Sequence, residues 1–176
     1  VQTETVMNLA KGVDPRPVIT ERRAKSVSNE TTFSQDLSDL NALEVELEAL
    51  CLKLSARLKA KGIAGGTINL KLKRANHRTI TRSRTVSSRI DKAYHLFEIG
   101  RDLLKKEIKD TNFYRLLGIG VNNIGKASEA RLFDLLGGED DKRNRLESAV
   151  DDLHSKMGKE VLYTGRQFTK NVLKKK

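Results

Sequence analysis

The amino-acid sequence predicts an α+β fold, in which one antiparallel sheet carries two helices on a single face and a helical extension follows. Three observations lead to this prediction. Leucines recur at steps of three or four between residues 39 and 61, as on an amphipathic helix. Apolar and polar residues alternate strictly between residues 67 and 73, as on a half-buried strand. Segments of these two kinds follow one another along the chain in the order β-α-β-β-α-β.

The first three elements follow directly from these patterns. Residues 25–33 are rich in Ser, Thr and Val, which favours a strand. The leucine-rich helix covers residues 39–61, because a polar N-cap precedes it and Gly62 can end it. We expect Gly65-Gly66 to break the chain before the alternating strand at 67–73.

The last three elements complete the sheet. A short polar turn leads into a strand at 78–86, where Ile80 and Val86 have the same parity as the two arginines between them. A bulge or an edge position would reconcile this irregular alternation. An amphipathic helix at 90–109 and a strand at 113–123 follow. The order is that of a ferredoxin-like fold, which leaves the second face of the sheet open.

A C-terminal extension follows the predicted sheet. Residues 127–136 form a short segment, Gly137-Gly138 interrupts the chain, and a third amphipathic helix is predicted at 139–157. The carboxylates of Glu139-Asp140-Asp141 suit the N-terminus of this helix, so they need no metal ion to explain them. The basic tail at 170–176 is expected to be frayed.

Positive charge is concentrated in one block of the sequence. The chain has 34 Lys and Arg against 23 Asp and Glu, a net charge of +11. Residues 49–90 contain no Asp or Glu and eleven of the basic residues. Removing these eleven from the 34 leaves 23, which matches the 23 acidic residues. Such a footprint indicates a polyanionic ligand, above all nucleic acid, and the alternative is a solvated basic face without a ligand.

The sequence offers no set of catalytic or metal-binding residues. His77, His95 and His154 lie on different predicted elements, without the spacing of a metal site. Cys51 adjoins the leucine stripe, so we expect a core residue and not a nucleophile. No apolar run reaches the roughly 18–20 residues that span a bilayer. We therefore predict a cytoplasmic binding protein with no metal, no cofactor and no membrane partner.

The predicted hairpin carries the residue types that bind phosphate. Its cations alternate with hydroxyl and amide side chains, which donate further hydrogen bonds to phosphate oxygens. Residues 65–86 contain no Phe, Tyr or Trp, so the base-stacking platform of an RNA-recognition motif is absent. We therefore predict binding to a sugar–phosphate backbone without sequence preference. The cations concerned are Lys71, Lys73, Arg78, Arg82 and Arg84.

Four segments then carry a resemblance. They read AKSVSNETTF at 24–33, INLKLK at 68–73, TITRSRT at 79–85 and YRLLGIGV at 114–121. In this order they resemble the little-finger domain of the Y-family translesion DNA polymerases, in the bacterial DNA polymerase IV branch. Residues 9–18 are similar to that family's junction between the last thumb helix and the little-finger linker.

The resemblance implies a division of the chain. Residues 1–12 would be the end of the thumb helix, 13–24 a linker, 25–124 the DNA-binding little finger and 125–176 a C-terminal extension. Because the chain opens at Val1 within a helical pattern, we expect a fragment whose catalytic palm, with its Mg²⁺, lies elsewhere in the parent polymerase. The fragment itself would be non-catalytic.

The resemblance also implies partners and contact residues. The partners would be primer–template DNA and the palm, thumb and fingers of the same polymerase, and the location would be the nucleoid. The strand at 81–84 would meet the template backbone, and the strand at 25–28 would lie along the duplex. Together with the hairpin cations, the predicted DNA-binding set is Lys25, Ser26, Ser28, Lys71, Lys73, Arg78, Thr81, Arg82, Ser83 and Arg84.

Two alternative functions stay open at this point. Family members often carry a sliding-clamp peptide, and a related apolar-Asp-Leu-apolar core is present here in Leu132, Phe133, Asp134, Leu135 and Leu136. The chain would then be a module that recruits the polymerase to its clamp, although an amphipathic turn packed on the domain fits the same residues. The other alternative is a free-standing RNA-binding protein with a ferredoxin-like fold.

Overall fold

The structure is a computed structural model that describes residues 2–17, 24–109, 112–128, 141–158, 161–162, 164–165 and 168. Its elements, in chain order, are α1 (Gln2–Ala10), β1 (Ser26–Leu37), α2 (Leu40–Ala60), β2 (Ile63–Arg74), β3 (Thr79–Ile90), α3 (Ala93–Glu107), β4 (Tyr114–Lys126) and α4 (Asp141–Met157).

The four strands form one antiparallel sheet in the spatial order β1-β4-β2-β3. Helix α2 connects β1 to β2, and strand β4 lies between these two strands in the sheet. Helix α3 connects β3 to β4, and strand β2 lies between them. Each helix therefore joins two parallel strands that an antiparallel strand separates, the split β-α-β arrangement. Both helices pack on the same face of the sheet, so the predicted α+β fold class is confirmed.

The leucine stripe of α2 forms the centre of the core, as its spacing predicts. Leu43, Leu47, Leu54 and Leu58 are completely buried against the apolar faces of the strands. Asp39 caps the helix by accepting a hydrogen bond from the Ala42 amide at 2.7 Å. Cys51 belongs to this core, where burial raises the pKa of its thiol well above the ordinary value.

Gly65 and Gly66 do not break the chain, so this expectation is wrong. They lie inside β2, which begins at Ile63. A Cβ on Gly65 would lie 2.3 Å from Cβ of Val121 on β4, and a Cβ on Gly66 would lie 2.8 Å from Nδ2 of Asn123. The two glycines allow close approach of neighbouring strands, a role that local sequence does not distinguish from a turn.

Strand β3 has both features that could explain its irregular alternation. It is an edge strand, and its pairing with β2 shifts register, because Thr67 pairs with Thr85 while Gly65 pairs with Ile90. Ile80 and Val86 pack partly buried against the core. The bulge lets β3 extend to Ile90, which places Ile90 in the strand and not in the helix that was expected to begin there.

Helix α4 packs on the outer side of α2 and α3, away from the sheet. Arg143 donates to Glu98 on α3 at 2.9 Å, and Lys59 on α2 bonds to Glu147 and Asp151 on α4. The chain beyond α4 returns to α2, where the Thr164 hydroxyl donates to the Glu48 carboxylate at 3.3 Å. Within the described part of the chain, no helix is long and apolar enough to cross a membrane.

Candidate nucleic-acid interface

The open face of the sheet is determined by the strand register. Cross-strand partners lie on the same face, and the buried Ile68, Leu70 and Leu72 identify the helix-covered face of β2. The open face therefore consists of four rows, each running from β1 through β4 and β2 to β3. They are Ser26, Asn122, Thr67, Thr85; Ser28, Gly120, Asn69, Ser83; Glu30, Gly118, Lys71, Thr81; and Thr32, Leu116, Lys73, Thr79.

Small polar side chains make this face smooth and rich in hydrogen-bond donors. Hydroxyl groups dominate its two outer strands, and Gly118 and Gly120 lower its centre. A Cβ on Gly120 would lie 2.7 Å from Cβ of Ser28, so the strands are too close there for a larger residue. None of the sixteen side chains in the four rows is aromatic. The absence of stacking groups predicted from residues 65–86 therefore holds for the four paired rows of the face.

Two lysines supply the positive charge of the open face. Lys71 reaches across Gly118 and donates to the Glu30 carboxylate at 2.8 Å, while its side chain stays 43% exposed. Lys73 is half-buried and forms no ion pair within the described residues. Lys25, Ser26 and Ser28 are exposed at the start of the adjacent edge strand β1, where the sequence predicts contact with the duplex.

Arg82 and Arg84 lie on the other face of the sheet from the lysines. Arg82 pairs with Leu70 and Arg84 with Ile68, so both belong to the helix-covered side. Because β3 is at the edge, their side chains reach past the sheet and stay 51% and 36% exposed. Arg82 Nε donates to Glu107 at 2.6 Å, and Arg84 Nη1 donates to Asp102 at 3.1 Å. We call these four residues the β3-edge cluster.

The predicted contact residues of the hairpin therefore do not all lie on one face of the sheet. Thr81 and Ser83 share the open face with Lys71 and Lys73, whereas the arginines between them point to the edge. Arg78 is exposed at the turn, where His77 adopts a left-handed conformation with φ of 65°. The sequence missed Glu30, Asp102 and Glu107, because nothing local marks a carboxylate that pairs with a strand so far away in the chain.

The acid-free block is partly neutralised by carboxylates from other segments. Among its cations, Lys59, Lys71, Arg82 and Arg84 form ion pairs with residues outside the block. Burial alone would lower the pKa of Lys59, but its bonds to Asp151 and Glu147 on α4 outweigh this effect and raise it. Arg57 donates to the Ser28 carbonyl at 2.7 Å, which ties α2 to β1.

Other predicted groups are not gathered into a reactive site. His77 is in the β2–β3 turn, His95 in α3 and His154 in α4. The described residues include no cluster of three or more His, Cys, Asp or Glu able to hold a metal ion. The candidate clamp-binding residues Leu132 to Leu136 lie outside the described residues, so that assignment stays a prediction.

A comparison with models of protein families shows which family the chain belongs to. The model of the impB/mucB/samB family C-terminal domain matches residues 24–135. The chain belongs to this family. The resemblance to the little-finger domain of Y-family DNA polymerases, of the bacterial DNA polymerase IV type, is thereby confirmed.

Curated relatives of this little-finger domain carry the name DNA polymerase IV. One from Mesorhizobium japonicum, named DNA polymerase IV 1, is 40% identical over 168 residues, which cover 96% of this chain and 38% of the relative. One from Brucella melitensis is 42% identical over 170 residues, 97% of this chain and 38% of the relative. The chain therefore spans less than half the length of these relatives.

Solved structures share the fold at low sequence identity. A Y-family DNA polymerase chimera of Dbh and Dpo4 superposes with a TM-score of 0.56 at 18% identity, over 70% of this chain and 35% of that chain. An insertion ternary complex of Dbh DNA polymerase gives a TM-score of 0.51 at 17% identity, over the same shares.

Proposed function

We propose that this little-finger domain holds primer–template DNA by its sugar–phosphate backbone, as part of a lesion-bypass DNA polymerase that carries out synthesis with its other domains. The observation that supports this most is the open face of the sheet. Its four paired rows combine partly exposed lysines, hydroxyl groups and two central glycines without an aromatic side chain. Cations and hydroxyls hydrogen-bond to phosphate oxygens, and they do so independently of the base sequence.

Each part of the proposed interface has cations that can reach a phosphate. Lys73 lies on the open face, Arg78 at the turn and Lys25 at the start of β1. Arg82 and Arg84 add guanidinium groups at the adjoining edge, where an approaching duplex meets them from the side. A DNA duplex lying on the open face would therefore place its phosphates against cations along the face and at the β3 edge.

The lack of stacking groups on the open face separates this proposal from an RNA-recognition function. Domains that read single-stranded RNA on a sheet stack bases on aromatic side chains. Here the four rows of the open face hold Ser, Thr, Asn, Gly and Lys, together with Glu30 and Leu116. We therefore expect primer–template DNA to compete successfully with single-stranded RNA for this face, which a competition titration measures.

The salt dependence of duplex binding tests the proposal. If about four to six phosphates are neutralised, log K falls against log salt with a slope of about −4 to −5. Lys73→Ala should reduce this slope by about 1 and weaken binding to unrelated sequences equally. The matched control is Lys53→Ala, which removes the same charge from α2 on the far side of the domain.

Three results would contradict the proposal. A slope near zero would exclude phosphate contacts as the source of affinity. Equal losses for Lys73→Ala and Lys53→Ala would show that only net charge matters and not the open face. A loss that depends strongly on the duplex sequence would indicate base recognition instead.

A further inference from the structure

The β3-edge cluster holds its two arginines in ion pairs before any DNA arrives. Glu107 and Asp102 lie on α3, and each accepts a hydrogen bond from one arginine. Arg82 also donates from Nη1 to the Thr81 carbonyl at 3.1 Å. A guanidinium group has five N–H donors, so the described contacts leave donors on both arginines for a second acceptor.

The position of Glu107 does not favour the stability of its own helix. It is the last residue of α3, where the partial negative charge of the helix terminus disfavours a carboxylate. The Tyr114 hydroxyl donates to the main-chain carbonyl of Glu107 at 3.0 Å. The Glu107 side chain is 16% exposed, and its carboxylate accepts the hydrogen bond from Arg82. Exposed ion pairs stabilise a fold little, so the cluster is better explained by what it does to the arginines.

We propose that Glu107 and Asp102 are internal competitors for the DNA phosphates that Arg82 and Arg84 bind. In the free domain they orient the two guanidinium groups and cancel their charge. When DNA binds, a phosphate oxygen accepts hydrogen bonds from each arginine, either in addition to the carboxylate or in its place. The two carboxylates therefore weaken DNA binding at the β3 edge, while they hold the arginine side chains in a fixed orientation. This inference rests on the proposed DNA-binding function.

Charge-neutral isosteres test the competition. Glu107→Gln and Asp102→Asn each keep a side-chain oxygen that accepts from the arginine but remove the negative charge. We expect each to tighten duplex binding by about three- to tenfold at low salt and to steepen the salt slope. Glu107→Gln should give the larger gain, because its carboxylate is less exposed and its charge less screened than that of Asp102.

Glu98→Gln is the matched control. It adds the same unit of net charge on the same helix, but Glu98 pairs with Arg143 of α4 on the outer side. We expect a gain of less than about twofold from it, through long-range attraction alone. A loss of folding cannot imitate the expected result, because unfolded protein would lower the measured affinity.

A double-mutant cycle identifies the mechanism. In an Arg82→Ala background, Glu107→Gln should give no more than the gain of Glu98→Gln. The competition is overturned if Glu107→Gln tightens binding no more than Glu98→Gln, or if its gain survives without Arg82. A flat salt response, or no effect of Lys73→Ala, would instead defeat the proposed DNA-binding function, so the two failures are distinguishable.

Discussion

Gly65 lies inside a buried strand at a point where a methyl group has no room. Its added Cβ would overlap the Val121 side chain on β4, with all three carbon atoms of that side chain within 2.9 Å. Gly65→Ala should therefore lower the free energy of unfolding by about 1–3 kcal/mol or more, as overpacking does in other cores. Denaturant unfolding measures this change.

Gly165→Ala is the control for this substitution. A Cβ at Gly165 meets no atom within 4 Å, so the unfolding free energy should change by less than about 0.5 kcal/mol. If Gly65→Ala unfolds at the same denaturant concentration as the Gly165 variant, the close packing of β2 against β4 described above is wrong.

At the scale of single residues, the sequence predicted the face of the sheet for some hairpin side chains and not for others. The alternation in 67–73 correctly assigned Lys71 and Lys73 to the solvent side. The same reasoning separates Thr81 and Ser83 from Arg82 and Arg84 by parity, but it could not say which pair lies on the open face, because that assignment depends on the register with β2. The partners Glu107 and Asp102 are about twenty residues away and have no local signal.

Helix α3 depends on α4 for its N-terminal cap. The side chain of Lys92, at the N-cap position, makes no capping hydrogen bond, and Oε1 of Glu147 accepts from the Ala93 amide at 3.0 Å instead. The same oxygen accepts from the Ser55 hydroxyl at 3.4 Å and from Lys59. One carboxylate of α4 thereby joins α2 to the start of α3.

Removal of this carboxylate should destabilise the domain more than its place on an outer helix suggests. Glu147→Ala removes the acceptor of a helix terminus and of a hydroxyl, and one of the two carboxylates that pair with the partly buried Lys59, so we expect a loss of about 1–3 kcal/mol. Asp152→Ala, an exposed position on the same helix, should cost less than about 0.5 kcal/mol. Equal unfolding free energies for the two variants would rule out the capping role.

The pH dependence of this contact follows from the direction of the Lys59 shift. Its pKa is raised in the folded protein, so its contribution is complete below the ordinary lysine value of 10.5 and is lost as the pH rises through the folded pKa. The stability difference between the natural chain and Glu147→Ala should therefore be constant near neutral pH and shrink only in strong alkali. A difference that shrinks between pH 6 and 8 would assign the effect to another group.

The bounds of helices and strands could be predicted where the pattern of apolar residues and the end signals lie in consecutive residues. The span of α2 was expected to within about one residue at each end, because both its stripe and its caps are encoded in consecutive residues. The break at Gly65-Gly66 was not, because these glycines serve a contact with β4 that is remote in sequence. The end of β3 was likewise determined by a bulge and not by a turn signal.

At the scale of the whole molecule, the basic block of the sequence is not a uniformly basic surface. Carboxylates of β1, α3 and α4 pair with several of its cations, whereas Lys73 and Arg78 are among those without an ion pair in the described residues. Net charge therefore indicates a polyanionic ligand but overstates how many cations are available to it at the same time. Only the folded structure shows which charges remain.

The most direct test of DNA binding through the open face is a titration of the ¹⁵N-labelled 176-residue chain with short duplex DNA, followed by amide chemical shifts. We predict the largest changes at Lys71, Lys73, Thr81 and Ser83 and along the β3 edge, with little change on the outer side of α2 and α4. Large changes on α2 and α4 with an unaffected sheet would contradict it.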